Sequence, residues 1–312
     1  MIDTLPIINK KIEAFANPRI FLTNRGSVMD NIMPYFFTTW LNKARAAVLF
    51  QDILGNGLKY ATEAKKRNTP IVVVQHGRGA VVDYLPPENH PLIADKICVW
   101  GPRDREMLVS GGIDPKKVIL TGCPIFHGLR PEKEAHKGIN ILFAPGHLKE
   151  TGKNIAIMDL LRSVSGINIY AKLLTVHDRK IYGKNAIVSN SFDKDHIKKC
   201  IGAVRKADIL ITTSSGTIET LAMYFGVPVI FMDIHDEDEF KEHCLLKRSR
   251  LRPLGTYYID DINALPDAIK KTLKDPSMLV KAVKDELYAA AGIGLPGSPV
   301  LKIVDTIKKE AK

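Results

Sequence analysis

The chain has 312 residues, 45% of them hydrophobic and 25% charged, which is enough apolar material for two domains of ordinary size. No continuous apolar run approaches about 18 residues, and the start MIDTLPII carries an early acid, so the sequence predicts neither a membrane-spanning helix nor a secretory signal. The formal net charge of +11 suits nucleic acid, an anionic membrane or an anionic substrate. With 7% aromatic residues and no aromatic RNA-binding motif, nucleic acid is not expected, and a basic solvated surface is the simplest explanation.

Cysteine and carboxylate spacing indicates no metal site. The four cysteines lie far apart and form no CxxC pair, at Cys98, Cys123, Cys200 and Cys244. This usage predicts reduced thiols in a cytoplasmic protein without zinc. The acidic segment HDEDE (235–239) is more typical of solvated carboxylates at a helix start than of a metal site.

Short apolar runs rich in β-branched residues recur along the chain and predict strands. The first five are RIFLT (19–23), AAVLF (46–50), IVVVQ (71–75), KICVWG (96–101) and KVILTG (117–122). After the polar stretch LRPEKEAHKG (129–138), a second set begins: INILFAP (139–145), INIYAK (167–172), AIVS (186–189), DILIT (208–212), PVIFMD (228–233) and TYYI (256–259).

Continuous apolar strands separated by amphipathic helices are typical of parallel sheets covered on both faces. The expected fold class is therefore α/β, with two doubly wound Rossmann-like domains at residues 1–136 and 137–312. Ser298 and Pro299 predict the cap and first residue of a closing helix, a candidate to pack back on the first domain. Because ligands of open parallel sheets bind beyond the carboxyl ends of the strands, we expect the site in a cleft between the two domains.

The strongest site pattern is TTSSGT (212–217), which lies between the DILIT strand and the helical pattern TIETLAMYFG. Five of its six residues carry hydroxyls, whereas a helix cap needs only one. The first amides of a helix lack intrahelical partners and lie at the positive end of its dipole, so the pattern predicts phosphate binding. The predicted phosphate contacts are Thr213, Ser214, Ser215, Gly216 and Thr217.

Glu219 lies in the first turn of the same predicted helix. Its carboxylate is either a partner of the helix dipole or a ligand for the diol of a nucleotide ribose. Sequence spacing alone leaves both roles open.

The first domain contributes the segment VVVQHGRGAVVDY (72–84), in which a valine-rich strand ends at a glycine-rich loop. His76 is there a candidate general base, since histidine titrates near neutral pH. The alternative is a structural histidine bonded to a neighbouring carbonyl. Gly77 and Arg78 follow as candidates to line the cleft.

Other predicted strand ends carry basic residues or glycine. Lys172 and His177 follow INIYAK and would add donors around the same phosphate. The remaining candidates for the cleft or an anionic acceptor are Arg25, Gly26, Gly146 and His147. A solvated loop is the alternative for each of them.

In this order, the segments QHG, ADKICVWGPRDREMLVSGGIDPKKVILTGCPIFHGL (94–129), ILFAPG and ADILITTSSGTIETLAMYFGVPVIFMD resemble those of GT-B transferases, which have two Rossmann domains. The sequence is most similar to the CDP-glycerol glycerophosphotransferases of teichoic acid synthesis and related capsule-polymer transferases. The resemblance implies that His76 deprotonates the acceptor hydroxyl, and that His177 with Ser214 and Ser215 contacts the donor phosphate. The Lys-x-His-Pro motif of that group is altered, because Asp178 stands in place of the proline.

The resemblance implies a cytoplasmic transferase that moves a sugar or polyol phosphate from a nucleotide-linked donor to a polysaccharide or lipid-linked acceptor. No metal or other cofactor is expected, and a peripheral membrane contact fits the basic charge. The same loop also resembles non-hydrolysing UDP-N-acetylglucosamine 2-epimerases, in which Glu219 would hold the ribose and Ser215 with Gly216 the diphosphate. A nucleotide-sugar-binding protein without catalysis is a third alternative.

Overall fold

The structure, a computed structural model, describes residues 20–22, 44–50, 52, 55–78, 81, 92–145, 151–173, 179–188, 196–213, 216–233, 254–276 and 280–312. The chain divides into two units, each built on one parallel sheet. One unit runs from Arg130 to Leu287, and the other combines the described residues between Ile20 and Leu129 with Tyr288–Lys312. The polar stretch that begins at Arg130 therefore belongs to the unit of the second sheet.

The first sheet has five described strands in the order β1-β2-β3-β4-β5, all parallel. They are β1 (Ile20–Leu22), β2 (Ala46–Leu49), β3 (Ile71–Val74), β4 (Lys96–Val99) and β5 (Val118–Leu120). Helix α1 (Gly55–Lys66) joins β2 to β3, and α2 (Pro102–Ser110) joins β4 to β5, before a 3₁₀ turn at Pro124–Phe126. Every residue of β2 and β3 is buried, as expected of strands covered on both faces.

The second sheet has six described parallel strands in the order β11-β10-β9-β6-β7-β8. They are β6 (Ile139–Ala144), β7 (Ile167–Leu173), β8 (Ala186–Val188), β9 (Ile209–Thr212), β10 (Val229–Met232) and β11 (Thr256–Ile259). The helices of this unit are α3 (Thr151–Ser163), α4 (Arg179–Tyr182), α5 (His196–Arg205), α6 (Thr217–Tyr224) and α7 (Leu265–Lys274), with a 3₁₀ turn at Ile262–Ala264.

Two further helices complete the described chain: α8 (Val280–Ala291), within which the two units divide, and α9 (Pro299–Glu310). A side chain at Gly101 would place its Cβ 2.0 Å from the carbonyl oxygen of Ala289, so only glycine admits the end of α8 beside α2. Helix α9 begins as its sequence predicts, since Ser298 Oγ accepts from the amide of Leu301 at 3.3 Å and Pro299 follows the cap.

Helix α9 covers one face of the first sheet. Its side chains of Val300, Ile303, Val304 and Ile307 form one buried cluster with Val48, Val72, Val74 and Cys98. Helix α1 also contacts β2 and β3. The predicted pattern of a parallel sheet with helices packed against it is therefore present in this unit.

The core of the second unit lies between its sheet and helices α3 and α7. Ile141 and Phe143 of β6 and Ile211 of β9 pack with Ile157 of α3 and Ile269 of α7. These side chains are almost completely buried. Alternate residues of the central strands thus face one helical layer, as the pleat of a strand requires.

A hydrogen-bond network closes the amino edge of the second sheet. Asn140, 3% exposed at the start of β6, donates from Nδ2 to the carbonyl of Lys206 at 2.8 Å. Its Oδ1 accepts from Asn168 Nδ2 at 3.0 Å, and its backbone amide donates to Asp208 Oδ2 at 2.9 Å. Both amide atoms of this buried side chain are therefore hydrogen-bonded.

The strand order of the second sheet reverses between β6 and β9. The chain starts the sheet at β6, moves outward to β8, and then returns to β9 on the other side of β6. This is the order of a dinucleotide-binding Rossmann sheet, in which the loops that leave the two central strands diverge and open a crevice at the carboxyl edge. The expected α/β fold with two Rossmann-like units is confirmed. The reversal belongs to the second sheet, whereas the five described strands of the first run in chain order.

No helix in the described part of the chain combines the length and the apolar composition needed to cross a bilayer.

Candidate functional site

The predicted phosphate loop lies at the strand-order reversal of the second sheet. Strand β9 ends at Thr212, and α6 begins at Thr217 after the N-cap residue Gly216. Gly216 is extended, with φ −167° and ψ −178°, so its backbone does not require glycine. No atom of the described residues lies within 4 Å of the position that a Cβ would take there. The missing side chain thus leaves open space at the start of the helix.

The buried side chain of Glu219 caps the first turn of α6. The carboxylate is completely buried, and its Oε2 accepts from the backbone amide of Gly216 at 3.1 Å. This is the half of a capping box that a glutamate at the third helical position supplies. Because Gly216 has no side chain, the N-cap residue supplies no side-chain oxygen to the first amides of the helix. In many proteins these first amides bind anions.

The described threonines around this turn are buried. Thr213 is 0% exposed and Thr217 is 3% exposed, while Gly216 is half-buried. The end of β9 and the start of α6 thus bring four of the predicted site residues close together: Thr213, Gly216, Thr217 and Glu219. Buried polar side chains thus flank the amino end of α6, a position at which the helix dipole favours an anion.

Lys172 lies near the carboxyl end of β7, on the other side of β6 from β9. It is 8% exposed, and its Nζ donates to the carbonyl of Leu173 at 3.3 Å. Its neighbours Ala171 and Leu173 belong to the core that faces α3, so Lys172 is on the opposite face of the sheet.

Seven of the predicted site residues lie outside the described residues: Arg25, Gly26, Gly146, His147, His177, Ser214 and Ser215.

The loop after β3 is fixed by the side chain of Gln75. Its Nε2 donates to the carbonyl of Gly77 at 2.9 Å and to Asp104 Oδ2 at 2.7 Å, and its Oε1 accepts from the amide of Trp100 at 2.7 Å. Trp100 Nε1 in turn donates to the carbonyl of Gln75 at 2.9 Å. The backbone on either side of His76 is thus tied to β4 and α2. The sequence does not mark Gln75 and Asp104 as site residues, because a buried hydrogen-bond network between distant residues has no short sequence motif.

His76 itself is 5% exposed and packs against Phe50, with ring centroids 5.7 Å apart. Its Nδ1 lies 3.3 Å from the carbonyl oxygen of Phe50. A carbonyl oxygen only accepts, so Nδ1 carries the hydrogen and the neutral ring has its lone pair on Nε2. The carbonyl contact expected of a structural histidine is present, and it selects the tautomer that a general base at Nε2 requires. Gly77 and the half-buried Arg78 follow in the same loop.

Two buried thiols of the first unit, those of Cys98 and Cys123, are poor nucleophiles. Burial raises the pKa of Cys98 to about 12 and also raises the pKa of Cys123. Since the thiolate is the reactive form, neither side chain is suited to covalent catalysis near neutral pH. Within the described ranges, no group of three or more His, Cys, Asp or Glu side chains is arranged to hold a metal ion.

Comparison with known proteins identifies the fold. No protein-family model matches the chain, and no curated protein matches significantly. The wall teichoic acid polymerase TagF, as its H444N variant, superposes with a TM-score of 0.66 at 16% identity, over 99% of this chain and 85% of the polymerase chain. The structure of S. aureus MnaA with UDP has a TM-score of 0.59 at 15% identity, over 99% of this chain and 82% of its own.

A protein described as a UDP-N-acetylglucosamine 2-epimerase from Listeria monocytogenes is also similar, with a TM-score of 0.55 at 15% identity, over 98% of this chain and 79% of its own. At such identities the likeness establishes the fold alone. The neighbours nevertheless include a teichoic acid polymerase and a protein described as a 2-epimerase, the two kinds of protein that the sequence motifs resemble.

Proposed function

We propose that the protein is a transferase that takes a sugar or polyol phosphate group from a nucleotide-linked donor and places it on a hydroxyl of a cell-surface polymer or its lipid-linked precursor. The observation that carries this proposal is the strand-order reversal between β6 and β9, with the glycine-capped start of α6 beside it. Crevices at such reversals are the usual nucleotide sites of open parallel sheets.

Donor binding is assigned to the second unit. The phosphates would lie against the amides at the start of α6, beside Thr213 and Thr217. As the bond to the nucleotide breaks, negative charge develops on the leaving phosphate. The oriented amides and the helix dipole stabilise that charge without reorganising. One hydrogen-bond donor of this kind contributes up to about 3–4 kcal/mol to transition-state stabilisation. The proposal needs no metal ion for this step.

Proton transfer is assigned to His76 of the first unit. The acceptor hydroxyl would give its proton to Nε2 of His76 while its oxygen forms a new bond to the group that is transferred. The bond between the transferred group and the leaving nucleotide breaks in the same step. The contact with the Phe50 carbonyl keeps Nδ1 protonated and holds the ring in place, as the orienting partner of a catalytic histidine does.

Nucleotide binding at α6 is tested by the pair Gly216→Asp and Gly216→Asn. Both residues are good N-caps of almost equal shape, and no atom of the described part of the chain lies within 4 Å of the Cβ position, so both variants should fold. They differ by one negative charge at the proposed phosphate site. We expect Gly216→Asp to bind CDP-glycerol, UDP-N-acetylglucosamine, CMP and UDP at least about tenfold more weakly than Gly216→Asn, by titration calorimetry.

If the two variants and the wild type bind the nucleotides equally well, the phosphate does not bind at this loop. A nucleotide present at 100 times its dissociation constant should raise the free energy of unfolding by about 2.7 kcal/mol, which a thermal-shift screen detects. Binding without turnover over a panel of donors and acceptors would instead support a binding protein without catalysis.

A 2-epimerase is the second candidate, since the spacing of Ser215, Gly216 and Glu219 at the start of α6 also resembles the nucleotide-binding loop of that group. The epimerases' GTRPE segment does not occur in this sequence. Incorporation of deuterium at C2 of UDP-N-acetylglucosamine in heavy water, without any acceptor, would establish epimerase chemistry in place of transfer.

A further inference from the structure

Helix α3 carries a buried amide side chain that has no hydrogen-bond partner among the described residues. Asn154, the fourth residue of α3, is 1% exposed. In the described part of the chain, neither its Oδ1 nor its Nδ2 has a hydrogen-bond partner. Buried polar atoms in folded proteins are almost always paired, and leaving one unpaired lowers stability.

The position of Asn154 in α3 gives the direction of its side chain. Ile157, Met158 and Leu161 form the stripe of α3 that packs into the core of the second sheet. Asn154 precedes Ile157 and Met158 by three and four residues, so it continues that stripe toward the amino end of the helix. Side chains on a helix tilt toward its amino end, and α3 follows β6. The amide is therefore directed to the carboxyl edge of the sheet, where the strand order reverses.

Asn140 shows that the same unit pairs a buried amide elsewhere. It is 3% exposed at the opposite, amino edge of the sheet, and both of its amide atoms are hydrogen-bonded. The unpaired amide thus occurs at the edge where a ligand is expected. Exceptions to polar satisfaction are typical of functional sites, where a ligand supplies the missing partner.

We infer that Asn154 binds hydroxyls of the sugar or polyol that the donor carries, and so contributes to donor specificity. This inference rests on the proposed function, which places a nucleotide-linked donor in the crevice. Ionised phosphate oxygens only accept hydrogen bonds, so a phosphate would pair with Nδ2 and leave Oδ1 without a donor. Hydroxyls both donate and accept, and two neighbouring hydroxyls can satisfy both atoms.

The test compares complete donors with their nucleotides. Asn154→Leu has the same number of side-chain heavy atoms but cannot form hydrogen bonds. We expect it to bind CDP-glycerol or UDP-N-acetylglucosamine, whichever the wild type binds, about tenfold more weakly, while the affinity for CMP or UDP stays within about twofold. Because the substitution removes an unpaired buried amide, the melting temperature of the free protein should be equal to that of the wild type or higher.

Asn140→Leu is the matched control, with the same substitution at a buried but paired amide. We expect it to lower the melting temperature and to leave donor affinity unchanged. If Asn154→Leu does not fold, Asn154→Ala removes the same two groups with less bulk and is measured in its place.

Three results would overturn the inference. Unchanged donor affinity would make Asn154 a structural residue, and an equal loss for donor and nucleotide would assign it to the nucleotide. If the wild type binds neither donors nor nucleotides, the proposed function fails and the inference fails with it. The wild-type titration separates that failure from a failure of the Asn154 assignment alone.

Discussion

At the scale of single residues, His76 has a structural role, the contact with the Phe50 carbonyl, and a proposed catalytic role as the general base. One substitution separates the two roles. Asparagine places its amide nitrogen near the position of Nδ1, so His76→Asn can still donate to the carbonyl of Phe50. It has no basic nitrogen in place of Nε2. We expect turnover to fall by about 10²–10⁴-fold, with little change in melting temperature or nucleotide affinity.

His76→Ala is the companion variant, because it removes both the base and the donor to Phe50. Its turnover should match that of His76→Asn, and its melting temperature should be lower. Steady-state kinetics and thermal unfolding of the two variants measure these effects. Turnover of wild-type size in His76→Asn would refute the base assignment.

The sequence predicts individual residues only where a local pattern marks them. His76 is recognisable because glycines surround it at the end of a valine run, and the hydroxyl cluster at 212–217 is far richer than a cap requires. Asn154 has no such mark, since TGKN at a helix start resembles an ordinary solvated turn. Its burial depends on the turn of α3 that meets the sheet, and its lack of partners depends on every neighbour in the fold.

At the scale of elements, helix α9 is the clearest case of a segment held by packing. Ile303 is completely buried against the first sheet, while Leu301 on the same helix is 48% exposed. We expect Ile303→Ala to lower the free energy of unfolding by about 2–4 kcal/mol, because it removes buried methyl groups and leaves a cavity. Leu301→Ala should change it by less than about 0.5 kcal/mol.

Urea denaturation of the two variants measures this difference. Similar losses in both would mean that α9 contributes through its helical propensity and not through its buried face.

The strands follow from the sequence almost completely, and their arrangement does not. Each strand in the described ranges lies within an apolar run that predicts it, except that β7 continues one residue beyond its run to Leu173. The agreement follows because a strand buried on both faces needs continuous apolar residues. Strand order has no such local cause. The chain returns from β8 at one edge to β9 beside β6, and tertiary packing decides where β9 pairs. The sequence therefore predicts a site beyond the carboxyl ends of the strands, but not the reversal that opens the crevice.

At the scale of the whole molecule, the net charge of +11 is the property that bears on partners. If the acceptor is lipid-linked, the basic surface should bring the protein to anionic bilayers. We expect it to cosediment with phosphatidylglycerol vesicles at low salt and to be released at about 0.5 M salt, where surface charges are strongly screened.

Phosphatidylcholine vesicles are the control for this experiment. Equal binding to both lipids would indicate an apolar contact. If the protein binds neither lipid, the positive charge is a solvated surface without a role in membrane binding.

The composition of the two units has a consequence for biosynthesis. Residues 130–287 form one unit without any later residue, whereas the five-stranded unit includes both β1–β5 and the helix α9 that covers its face. On the ribosome, the first sheet must therefore wait for residues translated after the entire second unit. Nascent chains would expose the valines of β2 and β3 during that interval, which makes them candidates for chaperone binding before the second half has been made.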